Sequence, residues 1–220
     1  MRSLSPAELS ALAQGMREYT FERRSVVLHK DEPAQVLCFL LEGRLQAVDF
    51  TLDGREVGLF FIEPGDYFGE LAVIDEQPQA EFVIALCRSR VAMLPLQAAR
   101  RLMFALPAVA EQVALRLAAR LRGVGRQRTI LRLPSVVQRV CAQLLYMASQ
   151  SADGAWRIVN APTHQEIAIM IDVSRETVTR VFQMLQAEGV ISRQGRDILV
   201  HRRRYLEDVA EGRSHSPKVG

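Results

Sequence analysis

Three side chains able to read DNA bases stand in one short run, SRETVTR at 174–180: Arg175, Glu176 and Arg180. A guanidinium pairs in bidentate fashion with guanine O6 and N7, and a carboxylate accepts from cytosine N4. On a helical wheel at about 100° per residue starting from Arg175, Thr179 lies near 40°, Gln183 near 80°, Glu176 near 100° and Arg180 near 140°. Val178, Val181, Phe182 and Leu185 gather between about 240° and 340°. The apolar face must pack inward. The opposite face presents two guanidiniums and a carboxylate at its N-terminal end, the end that a recognition helix pushes into the major groove. The same residues also fit an ordinary solvated helix face, and their surroundings must decide between the two.

A second stretch, GELAVIDEQPQAE at 69–81, poses a different chemistry. It carries Glu70, Asp75, Glu76 and Glu81 and no Lys or Arg. Preceded by EPGDYF, its Gly69-Glu70-Leu71 turn reads as one wall of a small-molecule pocket. Other chemistries are less evident. No Cys-x-x-Cys occurs and the four histidines, His29, His164, His201 and His215, are scattered, so no metal constellation is visible. No nucleophile–base pair or P-loop appears, and the chain is not read as an enzyme.

The elements around SRETVTR favour base reading. Thr163 with Glu166 three residues on is a capping box that opens one helix. Asp172 stands where a tight turn needs a residue tolerant of the left-handed region. Ser174 caps the next helix. Two helices joined by so short a turn form a helix-turn-helix. GVISRQGRDILV follows as strand, turn and strand with Gly195 at its tip, a wing. A helix at Ser135–Met147, a polar loop SADGAW and a strand RIVNA precede the motif. A winged module that met protein instead of DNA would leave Arg175 and Arg180 without a use.

The first half reads as β structure. SVVLHK, VLCFLLEG, RLQAVDF, REVGLFFI, FVIALC and RVAML are apolar runs separated by turn residues. LDGR suits a hairpin turn, and Pro33 and Pro64 mark strand ends. Strands at this spacing suggest a sandwich or jelly roll, preceded by a helix at about Pro6 to Arg17. A long helical stretch follows, Leu96–Leu133, with a break near Pro107. Its apolar positions Ala110, Val113, Leu117, Leu121, Val124 and Leu131 lie close to a heptad seam. Such a seam on a long helix pairs with its copy in a second chain or packs on its own domain, and the first is expected. Arg116, Arg120, Arg122, Arg126 and Arg132 fall on the other faces. Gly123 and Gly125 each weaken the helix by about 1 kcal/mol relative to Ala, and Pro134 ends it, making a hinge of 133–135.

Bulk properties agree. Apolar residues make up 49% of the 220, ample for real cores. Residues 1–99 hold nine basic and fifteen acidic side chains, and residues 100–220 hold nineteen and ten. An acidic half joined to a basic one suggests that the second half meets a polyanion, although a solvated arginine-rich surface has the same signature. Cys38, Cys87 and Cys141 are widely spaced and odd in number, which argues for a reducing compartment. All three are expected as core residues. No signal peptide or membrane span is read, and the cytoplasm is the expected location.

With both motifs in hand, the chain resembles the CRP/FNR family of bacterial transcription regulators from end to end. EPGDYFGELAV resembles the family's pocket motif and SRETVTR the recognition helix of its cyclic-AMP receptor branch. The resemblance implies an α+β fold: a cyclic-nucleotide-binding-type β-roll (jelly roll) at 1–99, a dimerisation helix at 100–133, a winged helix-turn-helix at 134–208 and a disordered tail at 209–220. It implies a homodimer on a palindromic duplex, with Val113, Leu117, Leu121 and Val124 at the dimer interface. Arg175, Glu176 and Arg180 then read a TGTGA-like half-site beside Thr179 and Gln183, with Ser174, Thr177 and the wing on phosphates. RNA polymerase is a further partner that it implies.

The resemblance also implies an effector pocket at Gly69, Glu70, Leu71, Ala80, Glu81 and Val124, and here the chain departs from the pattern. In cyclic-AMP-binding relatives the residue matching Glu70 holds the ribose hydroxyl, and an Arg-Ser or Arg-Thr pair holds the phosphate. Ala80 and Glu81 stand in place of that pair, and Val124 and Gly125 in place of the adenine-contacting Thr-Ser. A carboxylate beside a phosphate is repulsive, the more so at low effective dielectric. Cyclic AMP is therefore not expected, and no cofactor is. Glu70 is expected to bond nearby backbone N–H groups. Three readings remain open: a cationic or neutral ligand paired with Glu81, a larger nucleotide such as cyclic di-GMP bound elsewhere, or no effector at all. The cysteine cluster that would hold an iron–sulfur centre is absent, and haem has no evident Cys/His pair.

Overall fold

The computed structural model describes residues 15–33, 35–54 and 56–213. The chain forms two compact units that divide between Arg122 and Gly123.

The first unit holds β1 (Arg17–Phe21), β2 (Val26–Leu28), β3 (Val36–Glu42), β4 (Leu45–Phe50), β5 (Glu56–Ile62), β6 (Tyr67–Phe68), α1 (Glu70–Asp75), β7 (Phe82–Ala85), β8 (Ser89–Pro95), α2 (Leu96–Ala105) and most of α3 (Pro107–Leu131). Two antiparallel four-stranded sheets, in the orders β1-β8-β3-β6 and β2-β7-β4-β5, make the roll. Cys38, Leu40, Phe68 and Val91 from one sheet meet Leu45, Ile62, Val83 and Ala85 from the other. Each such large side chain contributes about 1.5–3 kcal/mol on burial. The other faces of β3 and β8 supply Leu37, Phe39, Ala92 and Leu94 to a second cluster with Val73 of α1, Ala99 and Met103 of α2 and Val113 of α3. Two central strands are thus buried on both sides, so they read as continuous apolar runs. Gly43 joins β3 to β4 with φ 93°, and a Cβ there would lie 2.3 Å from Ser89 Oγ and 2.7 Å from Arg88 O. Only glycine fits.

Several expectations need correction. Residues 6–14 of the expected first helix lie outside the described residues, and Arg17, its expected end, opens β1. The GEL segment is not a turn: left-handed Gly69 (φ 78°) leads into helix α1. The break expected near Pro107 is present, by contrast, and divides the stretch into two helices whose axes differ by 101°. Pro107 lacks an N–H and holds Leu106 extended, at φ −114° and ψ 105°. The seam of α3 is also divided. Val113 is 9% exposed and packs, with Leu117 against it, in the second core cluster of its own unit. Leu121 and Val124 remain 73% and 63% exposed. Heptad spacing does not reveal which side of a helix its own domain occupies. Cys87 lies past the end of β7 and is exposed, whereas Cys38 and Cys141 are buried, with burial pushing both thiols up to about 12.

The second unit contains the end of α3, then α4 (Val136–Met147), β9 (Ser149–Gln150), β10 (Trp156–Ile158), α5 (His164–Met170), α6 (Arg175–Ala187), β11 (Ile191–Gln194), β12 (Asp197–Val200) and α7 (Arg203–Ala210). Its strands form one antiparallel sheet in the order β11-β12-β10-β9. The tail expected from residue 209 starts too early. Val209 is fully buried in α7, which packs on α4; residues 214–220 lie outside the described residues. No single helix among the described residues is long and apolar enough to cross a membrane.

Candidate functional site

The reading helix α6 is fixed from several directions. In α5, the Thr163 hydroxyl accepts from Glu166 N at 3.3 Å and the Glu166 carboxylate accepts from Thr163 N at 2.7 Å, the expected capping box. The helix ends at Ile171, and Asp172 turns the chain in the left-handed region at φ 51°. Two side chains that sequence reasoning missed close that end. Gln127 donates to Met170 O at 2.5 Å, and Arg139 donates to Ile171 O at 3.0 Å. These satisfy carbonyls that a helix terminus leaves without partners. Nothing local marks them, because they come from 43 and 32 residues away. The Ser174 hydroxyl accepts from Thr177 N at 3.2 Å and caps α6.

The wheel holds. Val178, Val181, Phe182 and Leu185 are buried, and Arg175, Glu176, Arg180 and Gln183 are exposed on the other side. The hydroxyls are more committed than the sequence suggests. Ser174 and Thr177 lie 2.9 Å apart through their oxygens. Thr179 donates to Arg175 O at 2.9 Å and meets His164 Nδ1 at 2.9 Å. His164 was not singled out by the sequence. Burial first, then Arg193 and Arg175, holds its pKa below the ordinary value. The wing, β11 and β12, turns through Gly195 at φ 60°, with Arg193 and Arg196 exposed beside it. Exposed cations on a capped helix and its wing can meet phosphates and base edges.

The roll interior is arranged differently. Glu70, the first residue of α1, is 1% exposed, and one carboxylate oxygen accepts from Arg120 Nη1 of α3. Arg120 also donates to Tyr67 O at 3.2 Å and lies 4.3 Å over the Phe60 ring. Phe60 packs against the roll core. Arg116 pairs with Asp66 at 2.7 Å and lies 4.6 Å over the Tyr67 ring. Neither arginine is a solvated surface charge, and the partner of Glu70 is a guanidinium rather than the backbone N–H groups expected. Glu81 precedes β7 half-buried, and burial first, then Glu70, pushes its carboxyl up. Ala80 and Leu71 are exposed. Val124, assigned to this pocket by the sequence, belongs to the second unit. The cation nearest Glu70 is thus already paired, and the nearby half-buried carboxyl disfavours an anion. No group of three or more metal-ligating side chains occurs among the described residues.

Comparison with known proteins agrees with this architecture. A cyclic nucleotide-binding domain matches residues 18–105, and a Crp-like helix-turn-helix domain matches residues 138–209. The chain is 29% identical over 202 residues to a CRP-like cAMP-activated global transcriptional regulator of Mycobacterium tuberculosis, a match that covers 90% of each protein. A CRP-family transcriptional regulator of Thermus thermophilus superposes with a TM-score of 0.65 at 26% identity, over 88% of this chain and 96% of that one. FixK2 of Bradyrhizobium japonicum shares the fold, with a TM-score of 0.75 at 20% identity, over 92% of this chain and 99% of that one.

Proposed function

The chain belongs to the CRP/FNR family of transcription regulators, and on that premise we propose that it acts as a homodimer on a palindromic duplex without cyclic AMP as its effector. It is a DNA-binding regulator, and its relatives are regulators rather than enzymes. The finer reading assigns base contacts to Arg175, Glu176 and Arg180 on TGTGA-like half-sites, with Gln183 and the Thr179 methyl beside them. Phosphate contacts fall to the wing and to the first turn of α6, where Ser174 and Thr177 lie. Half-sites would be centred about one helical turn, roughly 34 Å, apart. Leu121 and Val124, large apolar residues left exposed on α3, support the dimer. The protein then works in the cytoplasm, where the DNA is, with RNA polymerase as a further partner.

One observation carries the effector reading: the buried Glu70 carboxylate is already paired with Arg120, and Glu81 stands half-buried nearby. A cyclic phosphate entering there would meet carboxylate instead of a free cation. A charge-assisted hydrogen bond to phosphate is worth on the order of 1.5–3 kcal/mol, so its loss alone weakens binding about ten- to a hundredfold. Activation by cyclic AMP, which names the mycobacterial relative, is therefore not carried over to this chain. Binding of the purified protein to a TGTGA-bearing palindrome and to a scrambled duplex tests the reading. Preference for the palindrome with two protomers per duplex supports it, and equal affinity for the two sequences contradicts it.

A further inference from the structure

We infer that His164 is a positioning residue of the DNA-reading helix and takes up a proton when duplex DNA covers the cleft between that helix and the wing. The inference rests on the DNA-binding reading above. His164 is the first residue of α5, between Thr163 and Glu166 of the capping box, so its backbone is fixed. Its ring lies against Phe182, with centroids 4.5 Å apart. The single proton of the Thr179 hydroxyl goes to Arg175 O at 2.9 Å. The 2.9 Å contact with His164 Nδ1 must then be donated by the imidazole. That fixes the tautomer as Nδ1–H and leaves Nε2 as the acceptor of the neutral ring. The hydroxyl of Thr179 is held inside the protein, so His164 sets what Thr179 can show a base.

The same ring lines a cleft of about 260 Å³ with Gln183, Ser192 and Arg193 over an apolar floor that includes Phe182 and Ile198. The charged groups acting on His164 are Arg175 from α6 and Arg193 from β11; on its own helix, Glu166 is turned back to Thr163 N. Burial and the two cations together favour the neutral ring in the free protein. A DNA strand lying over both arginines reverses that field. A solvent proton then binds the Nε2 lone pair, and Nε2–H donates to a phosphate oxygen. Affinity rises as pH falls through the pKa of the bound state and levels off below that of the free state.

Fluorescence anisotropy of the full chain on the palindrome, from pH 8 to pH 6 at fixed ionic strength, tests this. Binding should tighten roughly tenfold over that range, and calorimetry in buffers of different ionisation enthalpy should count protons taken up. His164→Asn keeps a neutral donor for Thr179 but has no nitrogen that titrates in this range, so it should lose the pH dependence. His164→Ala should bind more weakly throughout. A flat profile for the parent, or the parent's slope retained in His164→Asn, overturns the inference. A slope lost instead in His201→Asn, whose ring contacts Ser192 Oγ at 2.7 Å, also overturns it. Specific binding with no pH dependence defeats this inference alone; no specific binding at any pH defeats the DNA reading with it. The proton count of the parent stands whether or not the variants fold.

Discussion

The two units use arginine in opposite ways. In the first, Arg116 and Arg120 of α3 turn toward the roll, pair with Asp66 and Glu70 and lie over Tyr67 and Phe60. In the second, Arg175, Arg180, Arg193 and Arg196 stand exposed along one helix and its wing. The difference lies in what surrounds the guanidinium. A buried carboxylate that loses its cation is left uncompensated at low dielectric, so an inward arginine is held in one geometry. An exposed arginine keeps its hydration until a phosphate or base edge replaces it. The first arrangement fixes structure within the roll; the second keeps charge at the surface of a rigid frame.

Substitutions should sharpen this contrast. Glu70→Ala strands Arg120 beside the roll interior and should cost about 3–5 kcal/mol, read from denaturant midpoints. Arg175→Ala should change stability by no more than about 0.5 kcal/mol. Comparable losses at both positions would erase the distinction between the units. Leu121→Lys should place a charge in the α3 contact between protomers and yield monomers with weak palindrome binding. A full dimer in the ultracentrifuge would move the interface elsewhere. Arg180→Ala should cost about 1–3 kcal/mol on the specific site and little on random duplex; equal losses on both would make Arg180 a phosphate contact.

The smallest effect concerns Glu81. Burial pushes its folded-state pKa up, so the protonated form is the one that folding favours. The stability from this group is present below the ordinary carboxylate range and is lost as pH rises through the folded-state pKa. Glu81→Gln should therefore be more stable than the parent at neutral pH and no more stable in acid. A variant less stable at neutral pH would mean that the carboxylate is held by a favourable partner.

The reading unit was largely legible because its signals are local. Thr163, Glu166, Asp172 and Ser174 each act within a few residues, and the apolar face of α6 repeats with the helix period. The roll site was not. Glu70 and Arg120 are 50 residues apart, and no spacing rule joins an acid after a strand to an arginine on a distant helix. Short elements were lost for a related reason. β1, REYTF, is mostly exposed on an edge strand and shows no apolar run, while α1 opens with a glycine that resembles a turn. In α7, RRY and two acids surround only Leu206 and Val209, so its inward face is two side chains wide.

A titration of the palindrome with purified protein, with and without cyclic AMP, bears most directly on the contrast between a closed roll site and an open reading face. The same sequence-specific affinity in both conditions is predicted, because Glu70 already holds Arg120 and Glu81 disfavours the phosphate. A palindrome affinity that rises when micromolar cyclic AMP is added would contradict it.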